Sequence, residues 1–343
     1  MKQSSFFDVP PAPDAGLFGY EYDPDHSLVV VIGVPWEPTV SYGRGTSQTP
    51  RALVPASHQL DLFDPLVNGS FGACVGMLPL NPNWLELNDQ CCGKAAPIVA
   101  AGGVISDDLQ SDLAFINACS EQLNRELKAE VTALLDTGKV VGILGGDHSS
   151  PYGSILAHFD RYPRMGVLHI DAHADLRVAY EGFLHSHASI MYNLIHEIPE
   201  LSRLVSVGIR DYSEDEFRIA ENHPSIRTYY DRDLKRQSYR GRTWDDVCRE
   251  ICDQLPTDVY VSFDVDGLNQ QYCPHTGTPV PGGLSYGEAI HLLESVVHSG
   301  KRIIGFDLVE VVPNLSCPTD EWDLNVGARL LHKLCCLAYV SRR

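Results

Sequence analysis

Six short apolar runs rich in β-branched residues recur along the chain: "LVVVIGV" (28–34), "KVVGIL" (139–144), "MGVLHI" (165–170), "LVSVGI" (204–209), "DVYVSF" (258–263) and "RIIGFDLV" (302–309). Runs that are apolar on both faces belong to buried parallel strands, since a half-solvated strand would alternate. Helical patterns lie between several of them, at 120–138, 186–198 and 286–300, and a last one at 324–341 closes the chain. Gly138 and Gly300 stand where helix C-terminal glycines are expected. Alternating strands and helices predict an α/β fold built on one parallel sheet covered on both faces.

A chain of 343 residues suits either two average domains or one large α/β domain. Residues 1–27 read as a Pro-containing arm without the apolar core of a signal peptide, and 28–343 as a single catalytic domain. The stretch from 65 to 118 shows no clear periodicity and reads as an elaboration of that domain. The net charge of −19 disfavours nucleic acid or an anionic membrane surface as partner and suits a cationic substrate. No run of about 18 apolar residues is present to span a membrane. Ten cysteines without framework spacing fit a reducing cytoplasm, and Cys248 and Cys252, at i, i+4 on "WDDVCREICDQL", read as core.

Three strand ends carry the chemistry. "GILGGDHSS" presents Asp147 and His148, "HIDAHADLR" presents Asp171, His173 and Asp175, and "SFDVDGLN" presents Asp264 and Asp266. Residues two apart on a strand share a face, so each cluster converges on one small volume. Carboxylates so close repel and are costly to bury unless a cation sits among them. Ligands of open α/β sheets bind beyond the carboxyl ends of the strands, where all three clusters fall. A lone strand-end Asp is ordinarily a turn former or helix cap, and Asp147 is read that way or as a support. Six residues in three clusters are a different matter. His148, Asp171, His173, Asp175, Asp264 and Asp266 exceed the needs of one Zn²⁺ and suit two divalent, Mn²⁺-like ions about 3.5–4 Å apart with a hydroxide between them.

The stretches "GGDHS", "DAHADLR" and "SFDVDGL" resemble the three signature motifs of the ureohydrolase (arginase/agmatinase) family, and the likeness runs from "VSYGRGTSQTPRAL" (40–53) through "TGTPVPGGLS" to "FDLVEVVP" (306–313). The resemblance implies a three-layer α/β/α sandwich with a mostly parallel eight-stranded sheet. It implies a binuclear manganese centre, with Ni²⁺ as the alternative, and hydrolysis of a guanidinium or amidine group. His148, Asp171, Asp175 and Asp264 would hold one ion and Asp171, His173, Asp264 and Asp266 the other. His187, in "SHAS", matches the proton-shuttling histidine, and Glu310, in "DLVEVVP", the carboxylate that receives the guanidinium. Val312 stands where the family's motif has Asn. Nearby His185 competes for the proton role but lies two residues off the motif and reads equally as an exposed loop residue. The resemblance also implies trimers or hexamers.

A guanidinium is resonance-stabilised and a poor electrophile, so its hydrolysis needs a strong nucleophile, a fixed orientation and a proton for the leaving amine. Two positions bear on the substrate. Where arginases contact the amino-acid head group through an Asn and an Asp, this chain carries Arg177 and Ser213. That favours an agmatinase-like activity, agmatine to putrescine and urea, over arginase. Arg177 could instead face a substrate carboxylate, as in a guanidino acid or formiminoglutamate, or pair with a local acid such as Glu181; free guanidine is a further alternative. A one-zinc amidohydrolase of the deacetylase type lacks the full second ligand set, and a non-enzymatic homologue would be expected to have lost ligands.

Overall fold

The computed structural model of the protein describes residues 11–342 other than 13, 24, 68 and 71–73. The first ten residues of the expected arm lie outside the described residues. The strands are β1 (Val29–Gly33), β2 (Phe63–Asp64), β3 (Gly69–Ser70), β4 (Val75–Met77), β5 (Val140–Leu144), β6 (Gly166–Ile170), β7 (Arg203–Ile209), β8 (Ile226–Tyr230), β9 (Asp258–Asp264) and β10 (Arg302–Val309). The helices are α1 (Thr49–Ala56), α2 (Pro82–Ala100), α3 (Gln110–Asp136), α4 (Tyr152–Arg161), α5 (Ile190–Glu197), α6 (Glu214–Asn222), α7 (Asp231–Tyr239), α8 (Trp244–Gln254), α9 (Tyr286–His298) and α10 (Trp322–Val340).

Eight strands form one sheet in the order β4-β1-β5-β10-β9-β6-β7-β8, and every pairing within it is parallel. The six expected strands are all there. The two added at the edges, β4 and β8, show no continuous apolar run: β4 has three residues, and β8 ("IRTYY") buries only Ile226 and Tyr229.

Alternate residues of the strands pack into different layers. Val259, Val261 and Phe263 of β9 join α8, α9 and α10 on one face, whereas Tyr260 joins the α4 and α5 side. Ile32, Val141 and Ile143 meet α2 and α3. The result is a three-layer sandwich, with burial of each large apolar side chain contributing about 1.5–3 kcal/mol. Cys248 and Cys252 are core residues of α8. The unreadable 65–118 stretch supplies β4, α2 and the start of α3, and Leu17 and Phe18 pack into the core beside α1.

Parallel pairing aligns the strand ends. Ile170 lies opposite Phe263, Val309 opposite Asp264 and Leu308 opposite Leu144. The carboxyl ends of β5, β10, β9 and β6, four neighbours at the middle of the sheet, therefore open onto one spot.

Candidate metal centre and active-site cleft

Each expected ligand sits at that spot for a local reason. β5 runs into Gly145 and Gly146, and a Cβ on Gly146 would lie 1.9 Å from the Trp36 carbonyl oxygen, so only glycine lets the chain turn there and present His148. Asp171 follows β6 directly; its Oδ1 accepts the His173 backbone N–H at 2.6 Å. Asp264 ends β9 and its Oδ1 accepts the Asp266 N–H at 2.8 Å. Two of the residues hold unfavourable backbones, Asp175 at φ 53° and Glu310 at φ 61°. Such left-handed conformations cost about 1–3 kcal/mol each and persist where the surroundings dictate them, commonly at functional sites.

Hydrogen-bond polarity identifies what belongs between these groups. Ser262 Oγ donates its proton to Asp307 at 3.0 Å, so at 2.9 Å it can only accept from His148 Nε2–H. In a neutral ring His148 Nδ1 is then a bare lone pair. It faces carboxylate oxygens of Asp171 at 2.9 Å, Asp175 at 3.0 Å and Asp264 at 3.4 Å, acceptors all, with no hydrogen-bond alignment to any of them. A cation among those four atoms resolves the conflict. Beside it, His173 Nδ1 lies 3.0 Å from Asp266 Oδ2 and 3.5 Å from Asp171 Oδ1. Asp171 thus turns one oxygen to each cluster, the disposition a bridging ligand requires. Among the described residues, two groups of candidate ligands share it, His148 with His169, Asp171 and Asp175, and Asp171 with His173 and Asp266, with Asp264 next to the first at 3.4 Å from His148 Nδ1.

The electrostatics agree. Burial works against charge on His148 and His173, yet the carboxylates around them outweigh it and hold both imidazoles well above their ordinary range. Burial, then Asp266 and Asp171, pushes the Asp264 carboxyl well up, and burial with Asp171 raises Asp175. Against burial, His169 and its neighbours keep Asp171 well below the usual range. The spot is too negative for four free carboxylates, and the donor set of oxygens and imidazole nitrogens fits hard divalent ions.

His169 went unremarked in the sequence. It is fully buried, Nε2 donates to Asp171 Oδ2 at 2.8 Å, and Nδ1 lies 3.1 Å from Ser206 Oγ. The signal was there: it precedes Asp171 by two positions and so shares its face.

A cleft of about 160 Å³ opens over the centre, lined by Ser41, His173, Asp175, Arg177, Tyr180, His187, Ala188, Asp211, Glu216 and Thr278. His187 is among these residues; burial and the nearby imidazole of His173 push its ring down to about 4. His185 is not the exposed loop residue expected as its alternative: it is half-buried, tilted against Tyr152 with ring centres 5.2 Å apart. Glu310 is more deeply buried, its Oε1 accepting the His148 N–H at 2.9 Å and its carboxyl pushed well up by burial and Asp147. Arg177 does pair with an acid, but with Glu216 (Nε to Oε2, 3.4 Å) rather than Glu181, and its guanidinium lies over Tyr180, 4.6 Å from the ring centre. Ser213 is engaged elsewhere, capping α6 in a reciprocal pair with Glu216. Asp147 is a support: it accepts from Ser149 and Thr39. A larger groove of about 380 Å³ lies away from the strand ends, by α9 and α10, and its Lys333 is already paired with Asp64 and Glu294.

Oxygen and imidazole ligands converging on the carboxyl edge of a doubly covered parallel sheet define a divalent-metal enzyme of the α/β class. Residues 27–336 match the model of the arginase family. The N(1)-aminopropylagmatine ureohydrolase of Thermus thermophilus is 31% identical over 300 residues, 87% of each chain. Among solved structures, the agmatine ureohydrolase of Thermoplasma volcanium superposes with a TM-score of 0.70 over 98% of this chain and 96% of its own, at 23% identity. The proclavaminate amidino hydrolase of Streptomyces clavuligerus gives 0.71 over 97% and 100%, at 20% identity. These two likenesses speak to the fold. This chain belongs to the arginase family, hydrolases that act on C–N bonds of linear amidines. Among the described residues, no helix is long and apolar enough to cross a membrane.

Proposed function

We propose that this protein hydrolyses a guanidino compound without an α-amino acid head group, agmatine in the first instance, releasing urea and the corresponding amine. The observation that carries the reading is His148 Nδ1 facing three carboxylates at 2.9–3.4 Å, beside a cleft of about 160 Å³. In this reading His148, Asp171, Asp175 and Asp264 hold one Mn²⁺ and Asp171, His173, Asp264 and Asp266 the other, with Ni²⁺ as the alternative ion. When bound, the metal pair supplies a water nucleophile activated at neutral pH.

The chain's own residues do the rest. Glu310 receives the guanidinium through charge-assisted hydrogen bonds. Its high-lying carboxyl favours a cation at that point. The neutral ring of His187 takes the proton released as the carbon is attacked and delivers it to the leaving nitrogen, so that the C–N bond breaks toward a neutral amine. Asp175 holds metal and, through its backbone carbonyl, the start of α5. Arg177 is paired with Glu216, so neither side chain is left as a free partner for the carboxylate or the ammonium of an amino-acid head group. Ser213 acts on the substrate only indirectly, by orienting Glu216. The T. thermophilus relative's name, a ureohydrolase of an agmatine derivative, supports the same choice.

We further infer that residues 28–343 act as one catalytic domain, assembled in trimers or hexamers in a reducing cytoplasm. The reach of the family match supports the single domain, and ten cysteines without framework spacing support the reducing compartment. The test is a panel of agmatine, L-arginine, guanidinobutyrate, guanidine and formiminoglutamate, assayed for urea or formamide after loading with Mn²⁺ or Ni²⁺. Turnover of none of them overturns the proposal, and turnover of the acids alone would reassign Arg177 as a carboxylate receptor.

A further inference from the structure

Thr39 lies on the loop after β1, fully buried, and touches two groups of the site at once. Its hydroxyl donates to Asp147 Oδ2 at 3.0 Å, receives the His187 backbone N–H at 3.0 Å, and lies 3.4 Å from His187 Nδ1. A hydroxyl has a single proton to give. The Asp147 carboxylate is in an acceptor role at both oxygens, since Oδ1 takes the Ser149 N–H and the Ser149 hydroxyl. The Thr39 proton is therefore committed to Asp147, and its oxygen meets the imidazole as an acceptor. Nδ1 must then carry the ring proton. Ser186, the other hydroxyl nearby, stands farther from Nδ1, at the 3.5 Å limit of a hydrogen bond, so the closer Thr39 oxygen is taken to set the tautomer.

We propose that Thr39 is a positioning residue that, braced by Asp147, fixes His187 with the proton on Nδ1 and leaves the Nε2 lone pair for the reaction. This rests on His187 being the proton carrier. Nε2 then takes one proton from the attacking water and returns it to the leaving nitrogen, while the Nδ1 proton never moves. Without the brace the ring would be free to turn or to exchange tautomers, and a misplacement of about 1 Å is enough to cost about a hundredfold in rate.

The test compares Thr39→Val, which keeps the shape and loses the hydroxyl, with Thr39→Ser, which keeps the hydroxyl. Turnover of agmatine is measured on the Mn²⁺-loaded full chain, with metal content determined for each variant. Proton–nitrogen NMR of histidine-labelled, Mg²⁺-loaded protein reads the tautomer, with His187→Gln made to assign the signals. We expect Nδ1–H in the wild type and in Thr39→Ser, and a mixed or inverted tautomer in Thr39→Val. In that variant kcat should fall about 10–100-fold at nearly unchanged KM and metal content, and Thr39→Ser should restore it to within about threefold. An Nε2–H tautomer in the wild type overturns the proposal even if Thr39→Val fails to fold, as does a Thr39→Val enzyme with the wild-type tautomer and kcat. If His187→Gln keeps full turnover, it is the assignment of His187 as proton carrier that falls, and the tautomer still decides the role of Thr39.

Discussion

Replacing Asp264 by Asn should have opposite effects on stability with and without metal. Asp264 is 3% exposed, with Asp266 and Asp171 as like charges beside it and His148 Nδ1 3.4 Å from its Oδ2. In metal-free protein burial and the neighbouring carboxylates disfavour its charged form, so Asn, which keeps the shape and carries no charge, should leave the chain as stable or more so. With metal the order reverses. An ion that binds only the folded state contributes about 2.7 kcal/mol when present at a hundred times its dissociation constant. In the proposed ligand set Asp264 is the second carboxylate, after Asp171, to serve both ions, so the wild type should gain about 5 kcal/mol from two sites and the variant little. At about 2 °C per kcal/mol for a large domain, that is a rise of about 10 °C in the midpoint for the wild type alone. Differential scanning calorimetry of chelator-treated protein titrated with Mn²⁺, read at one scan rate, measures it. If Asp264→Asn gains as much as the wild type, Asp264 is not a ligand; if neither responds, the cluster is not a metal centre.

His187→Ala should lower kcat by about 10²–10⁴ with both metals retained, and His185→Ala should do much less; the reverse order in steady-state kinetics would move the proton role to His185. Glu310→Gln, which keeps the shape but removes the charge facing the substrate cation, should cost about 10–100-fold in kcat/KM, the worth of a hydrogen bond to a charged group. A cost below about twofold in the same assay would show that Glu310 does not receive the guanidinium. His158, far from the cleft between α4 and β10, is fully buried with its ring pushed down to about 4 by burial from an ordinary 6.5. The unfolded chain thus binds the proton more readily, so stability that is full above pH 6.5 is lost as the pH falls toward 4, by about 3 kcal/mol from this ring. Urea denaturation of His158→Gln from pH 7 to pH 4 should show a shallower decline than the wild type, and an equal slope would assign the acid lability elsewhere.

What could be read from the sequence follows from where the signal lies. β1, β5, β6, β7, β9 and β10 are buried on both faces and announce themselves as continuous apolar runs, whereas β4 and β8 sit at the edges and carry too few buried residues to stand out. The ligands were legible because parallel register brings strand ends together, so that i, i+2 spacing alone places Asp171 with His173 and Asp264 with Asp266. Groups acting across the fold left no such trace. Ser262 and Asp307, which fix the His148 tautomer, and Glu216, which holds Arg177, come from elements far apart in the chain. Thr39 reaches His187 from 148 residues away. Spacing reports neighbours along one element, and hydrogen-bond polarity needs the packed fold.

The most direct test is a side-by-side measurement of urea released from agmatine and from L-arginine by the fully Mn²⁺-loaded chain. Recognition of L-arginine needs buried partners for its ammonium and carboxylate, and Arg177 and Glu216, paired with each other, offer a free partner to neither. kcat/KM for agmatine should be at least about tenfold higher, about 1.4 kcal/mol of discrimination. A kcat/KM for L-arginine equal to or above that for agmatine would contradict it.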